Sequence, residues 1–118
     1  MPSTLESIKA EFFKALGHPA RIRIVKALRA GELSVSQIQE ALGLEQSVVS
    51  QQLGVLRAKG LIQPRRSGTS VFYSVTDDKV FELLDIARAM FDQQLQSLQA
   101  IADEDDARQD SLAETRTA

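Results

Sequence analysis

This sequence predicts a mainly α-helical fold with one small β-hairpin, an α+β arrangement of about five helices and a two-stranded ribbon. Three observations carry that prediction. Before Gly60, apolar residues recur at three- and four-residue spacing in successive segments set off by Gly17, Pro19, Gly31 and Gly43. After Gly60 the period changes to alternation. From Asp77 a long helical stripe resumes.

The first helix covers 4–16, where Leu5, Ile8, Phe12 and Leu16 share one face. Gly17 breaks it. Pro19 suits the first turn of a second helix. There Ile22, Val25 and Leu28 form the inner stripe, with Arg21, Arg23, Lys26 and Arg29 facing out or sideways. In the stretch "ELSVSQI", Ser34 opens a third helix. Its side chain is placed to cap the helix, and Gln37, three residues on, is placed to reach back to the cap's N–H. Val35, Ile38 and Leu42 line that helix, and Gly43 ends it. After the short break "GLEQS" a fourth helix carries Val49, Leu53 and Leu56 inward, and Gly60 closes it. Two helices joined by a short glycine turn are a helix-turn-helix.

"LIQPRR" and "SVFYSV" then flank "SGT", so a hairpin turns at Ser67–Gly68, with Val71, Tyr73 and Val75 alternating with Phe72 and Ser74. Pro64 confines the first strand to an edge. The last helix begins at Asp77, carries Val80, Leu84, Ala87, Phe91 and Leu98, widened by Leu83, Ile86 and Met90, and fades near Ala102. The domain is therefore 4–102. Residues 103–118, with six acidic side chains and one large aliphatic, are expected to form a disordered acidic tail. A helix-turn-helix followed by a basic hairpin is a winged helix.

Composition narrows the function. The chain has 118 residues, 43% of them apolar, and no cysteine, so it has neither a disulfide nor a thiolate metal ligand. It shows no membrane-length apolar run and no signal-peptide core, and the expectation is a soluble cytoplasmic protein without a membrane partner. The net charge of −2 conceals a division. Residues 1–75 hold ten Lys/Arg against five Glu, whereas 76–118 hold four against eleven acids. A basic body points to a polyanion. An enzyme finds no support: the single histidine, His18, lacks a nucleophile partner, and no phosphate-cradling glycine loop is present.

The fourth helix is the expected major-groove reader. Gln46, Ser47, Ser50, Gln51 and Arg57 lie away from its apolar stripe. Glutamine can pair bidentately with adenine, and serine can serve bases or phosphates. Arg65 and Arg66, with Thr69 at the tip, are the wing's expected DNA contacts, since guanidinium forks match phosphate geometry. The apolar faces of the outer helices (Leu5, Ile8, Phe12, Val80, Leu84, Ala87, Phe91 and Leu98) are wider than so thin a domain can cover. They are expected to form a two-fold dimer interface that spaces two readers roughly 34–36 Å apart.

The chain resembles the ArsR/SmtB family of winged-helix repressors. The resemblance rests on "FFKALGHPARIRIVKAL", "ELSVSQIQEALGLEQSVVSQQLGVLRAKGLI" and "RRSGTSVFYSV", and covers roughly residues 5–100. "KAEFFKALGHPARIRI" with "SQQLGVLR" is most similar to actinobacterial members. The resemblance implies a homodimeric repressor that leaves its operator DNA when a small-molecule or ion inducer binds. It also identifies a departure. Thiolate sensors of the family read Glu-Leu-Cys-Val-Cys-Asp-Leu where this chain has Ser34, Ser36 and Gln37, and hydroxyls are poor ligands for soft metals. The family's second site, an Asp-x-His then His-x-x-Glu on the last helix, aligns with Asp77, Lys79, Met90 and Gln93, so one ligand of four is kept. The sequence thus predicts no metal residue and no cofactor, and an inducer not sensed through cysteine. The alternatives are a nickel- or zinc-responsive regulator using carboxylates, His18 and the Met1 amine, and a winged helix that binds protein instead of DNA.

Overall fold

A computed structural model describes residues 4–117, leaving undescribed the side chains of 105–106 and 108–118. Its elements run α1 (Leu5–Leu16), α2 (Pro19–Ala27), a 3-10 turn (Leu28–Ala30), β1 (Leu33–Ser34), α3 (Val35–Leu42), α4 (Gln46–Ala58), β2 (Ile62–Ser67), β3 (Ser70–Val75) and α5 (Lys79–Thr117).

Local chemistry sets the helix starts. Thr4 caps α1 by accepting from the Ser7 amide at 3.1 Å. His18 caps α2, its Nδ1 accepting from the Ala20 amide at 3.1 Å, so the lone histidine hydrogen-bonds locally. Ser34 and Gln37 form the expected capping box: Ser34 Oγ accepts from the Gln37 amide at 3.2 Å, and Gln37 Oε1 accepts from the Ser34 amide at 2.9 Å. Gly43 ends α3 in the left-handed region, at φ +67.

The order of the three-stranded antiparallel sheet is β1–β3–β2. β2 is an edge, as Pro64 requires. Ser67 pairs with Ser70, so the loop is Gly68–Thr69, one residue later than the turn expected from sequence. Gly68 has φ +62 and Thr69 has no positive φ, the type II′ pattern. Sequence periodicity misses β1. Its two residues, Leu33 and Ser34, pair with Tyr73 and Phe72, too short a run to show alternation.

The chain divides into two compact units, Met1–Phe81 and Glu82–Ala118. In the first, α3 and α4 pack on each other and on α2. Ile24, Val25, Ile38, Val49 and Leu56 are fully buried, each contributing about 1.5–3 kcal/mol of transfer free energy. Val80 and Phe81 close this core, and the Arg29 guanidinium lies 5.6 Å from the Phe81 ring centroid. The second unit is helical throughout its described backbone. α5 runs to Thr117, past the Ala102 at which its apolar stripe gives out. An established helix extends without a new nucleation cost, so it outlasts the stripe. Gln99 Nε2 donating to Asp103 Oδ1 at 3.0 Å supports the crossing. The acidic tail expected over 103–118 lies largely outside the described side chains, as Met1 does altogether.

Candidate nucleic-acid interface

The two faces of α4 differ. Val49, Gln52, Leu53 and Leu56 are buried, while Gln46, Ser47, Ser50, Gln51 and Arg57 are all exposed. The structure therefore places every predicted reader residue on the open side. At the start of α4, Glu45 occupies the N-cap position but makes no side-chain capping bond. The first amides of the helix are thus left for another acceptor, and a phosphate suits them. Gly54 lies exposed in the same helix, and among the described residues outside its own turn nothing lies within 4 Å of where its Cβ would stand.

Gln52 is the residue that periodicity overlooks. It is 8% exposed, and its Oε1 accepts from Arg21 Nη1 at 2.9 Å. Arg21 also donates through Nε to the Ala15 carbonyl at 2.5 Å and through Nη2 to the Lys14 carbonyl at 3.2 Å. One guanidinium therefore ties the end of α1 to the inner face of α4. The helical pattern turns Arg21 out or sideways, whereas the structure directs its guanidinium inward to these acceptors. Its signal in the sequence is Gln52 itself, which stands three residues after Val49 on the buried side. Two further basic residues are engaged at helix ends. Arg23 Nη2 donates to the Leu42 carbonyl at 2.9 Å, satisfying the last turn of α3. Lys59 pairs with Glu11 at 3.1 Å, and this pairing holds the Glu11 carboxyl below its ordinary range.

On the wing, the neighbours Arg65 and Arg66 part company. Arg65 stands across from Phe72 in the register, with its guanidinium 5.4 Å from that ring's centroid. It also makes a bidentate ion pair with Glu32: Nε donates to Oε2 at 2.9 Å and Nη2 donates to Oε1. The hydrogen bond from Arg65, more than its charge, pulls the Glu32 pKa down, and the same contact raises that of Arg65. With the folded pKa depressed, the pair contributes stability above the ordinary carboxylate range and loses it as pH falls through the lowered value. Arg66 stands across from Val71, exposed, and has no ion-pair partner among the described residues. Thr69 is exposed at the tip.

The predicted dimer residues divide too. Leu5 and Ile8 are 61% and 58% exposed, and Phe91 and Leu98 are 54% and 56% exposed. Phe12, Leu84 and Ala87 are half-buried, while Val80 is buried within its own chain. Phe13, Ile86, Met90, Leu95 and Ile101 are further exposed apolar side chains on the same two helices. Phe13 meets Phe12 edge-on, with ring centroids 5.4 Å apart.

Among the described residues, no group of three or more His, Cys, Asp or Glu side chains is placed to hold a metal ion, and no helix is long and apolar enough to cross a membrane.

Comparison with known proteins bears on this surface. The family model for "Bacterial regulatory protein, arsR family" matches residues 18–63. The chain is 48% identical over 85 residues to the uncharacterized HTH-type transcriptional regulator Rv0081 of Mycobacterium tuberculosis, covering 71% of this chain and 75% of that protein. The crystal structure of Rv0081 superposes with a TM-score of 0.71 at 43% identity, covering 81% of this chain and 97% of that one. The biofilm growth-associated repressor of Xylella fastidiosa is 38% identical over 82 residues, 70% of this chain and 72% of that protein. The homodimeric winged helix-turn-helix DNA-binding domain Mb0332 of Mycobacterium bovis gives a TM-score of 0.70 at 30% identity, covering 78% of this chain and 85% of that chain.

Proposed function

This chain belongs to the arsR family of bacterial regulatory proteins, DNA-binding winged helix-turn-helix proteins that are not enzymes, and from that premise we propose that it is a homodimeric repressor with a sequence-specific operator. The observation that carries the reading is the exposed face of α4. Gln46, Ser47, Ser50, Gln51 and Arg57 present donors and acceptors there, and the opposite face anchors the helix in the core. Gln51 reads a base edge, and Arg57, Arg66 and Thr69 serve the backbone. The repressor sense is supported by the likeness to the Xylella repressor.

The dimer reading is supported by the likeness to homodimeric Mb0332 and by the exposed apolar side chains of α1 and α5. A second copy is the occupant that suits each of these faces, Leu5 and Ile8 on α1 and Phe91 and Leu98 on α5. The inducer acts without thiol chemistry, since this chain contains no cysteine. The functional domain is 4–102, and the protein works in the cytoplasm, where its DNA is.

Selection of bound duplexes from a random pool, followed by sizing of the complex, tests the proposal. It expects an enriched motif with two half-sites about one helical turn apart, held by two copies of the chain. Recovery of duplexes with no shared sequence would contradict specific reading, and a one-copy complex would contradict the dimer.

A further inference from the structure

We propose that Glu32 is an intramolecular counter-ion that keeps Arg65 out of phosphate contact, leaving Arg66 as the wing's DNA-binding arginine, an inference that rests on the DNA-binding reading above.

The geometry begins with the strand period. Adjacent residues of β2 project to opposite faces of the ribbon, so Arg65 and Arg66 cannot share one environment. Arg65 falls in a row that crosses the whole sheet, from Arg65 to Phe72 and on to Ser34. Glu32 lies two residues before Ser34, at the entry to β1, within reach of that row's end. Its two oxygens accept from Nε and Nη2 of Arg65, while Phe72 lies beneath the guanidinium.

The chemistry follows from which edge is taken. Nε and Nη2 form the side edge of the guanidinium, one of the forks a phosphate would grip in a bidentate contact. Glu32 already fills it. The pair is neutral, so a phosphate arriving there either displaces a carboxylate or meets no net charge. Phosphate neutralisation releases counterions, which gives DNA binding its salt dependence. A wing arginine held this way adds almost nothing to that dependence. Arg66, across from Val71 and without an ion pair among the described residues, keeps its full charge for DNA.

The same pair ties the wing to the chain just ahead of the α3 capping box, so Arg65 acts on the wing as a brace. Glu32 therefore lowers affinity for every duplex alike and leaves sequence choice to α4.

The test is a salt titration of binding, between about 50 and 200 mM, to a selected duplex and to its scrambled form. The proteins are wild type, Glu32→Gln, Glu32→Asp, Arg65→Ala, and Glu32→Gln with Arg65→Ala. Glu32→Gln should bind both duplexes severalfold tighter at the low-salt end and steepen the log–log slope by about 0.9, one phosphate contact. Arg65→Ala alone should leave the slope at the wild-type value, yet in the Glu32→Gln background it should abolish the gain. Glu32→Asp retains the charge and should keep the wild-type slope, so a change shared by both Glu32 variants would mean wing distortion and overturn the proposal. The exposed pair contributes little to stability, so the variants should melt near wild type. Unchanged or weaker binding by Glu32→Gln, or a flatter slope from Arg65→Ala alone, overturns the role of Glu32 while the DNA reading stands. Wild-type protein that retains no duplex at any salt overturns the DNA reading and this one with it.

Discussion

The outer face of α4 and the wing are both polar, both exposed and both aimed by the same core, yet they differ in how their side chains are engaged. On α4 the exposed Gln46, Ser47, Ser50, Gln51 and Arg57 make no side-chain hydrogen bond or ion pair among the described residues. On the wing, one of two adjacent arginines is held by Glu32 and stacked on Phe72. Counting basic residues therefore describes α4 fairly and overstates the wing. Whether a cation is available to DNA depends on its partner within the chain, and the partner is set by tertiary register.

The comparison breaks most completely if the inner face of α4 is removed. Leu53→Ala should cost about 2–5 kcal/mol of stability, measured by denaturant unfolding, and should take DNA binding down with it. A fully folded variant would show that the reader is not aimed by core packing. Gln52→Ala comes next. It deprives Arg21 of its Gln52 acceptor, and the loss should be about 1–3 kcal/mol of stability with the salt slope of DNA binding unchanged. A changed slope would place Gln52 or Arg21 at the DNA instead. Ser34→Ala should cost about 0.5–2 kcal/mol through loss of the cap. Ser36→Ala should cost much less, because Ser36 is exposed inside the first turn and the cap belongs to Ser34. On the wing, Arg66→Ala should scarcely affect stability. It should flatten the salt dependence by about 0.9, equally on selected and scrambled duplexes. A loss confined to the selected duplex would make Arg66 a base reader.

These cases also show what the sequence makes legible. Features decided within a few residues can be read directly. Ser34 and Gln37 announce the capping box, Pro64 announces the edge strand, and the Val49–Leu53–Leu56 spacing predicts which glutamine, Gln51, stays exposed. Features decided across the fold are invisible to local pattern. Glu32 and Arg65 are far apart in the chain and meet only because β1 joins β3. Arg21 and Gln52 meet only because α2 packs on α4. The run of α5 to Thr117 is hidden for another reason: the apolar stripe gives out near Ala102, and the helical backbone continues past it.

The most direct test of the account is Gln51→Ala, titrated against the selected duplex and its scrambled form at one salt concentration. If α4 reads bases, affinity for the selected duplex should fall by about 1–3 kcal/mol while affinity for the scrambled duplex holds. An equal loss on both duplexes would mean that Gln51 contacts phosphate or supports the fold. Unchanged affinity on both would mean that the exposed face of α4 is not where this protein reads DNA.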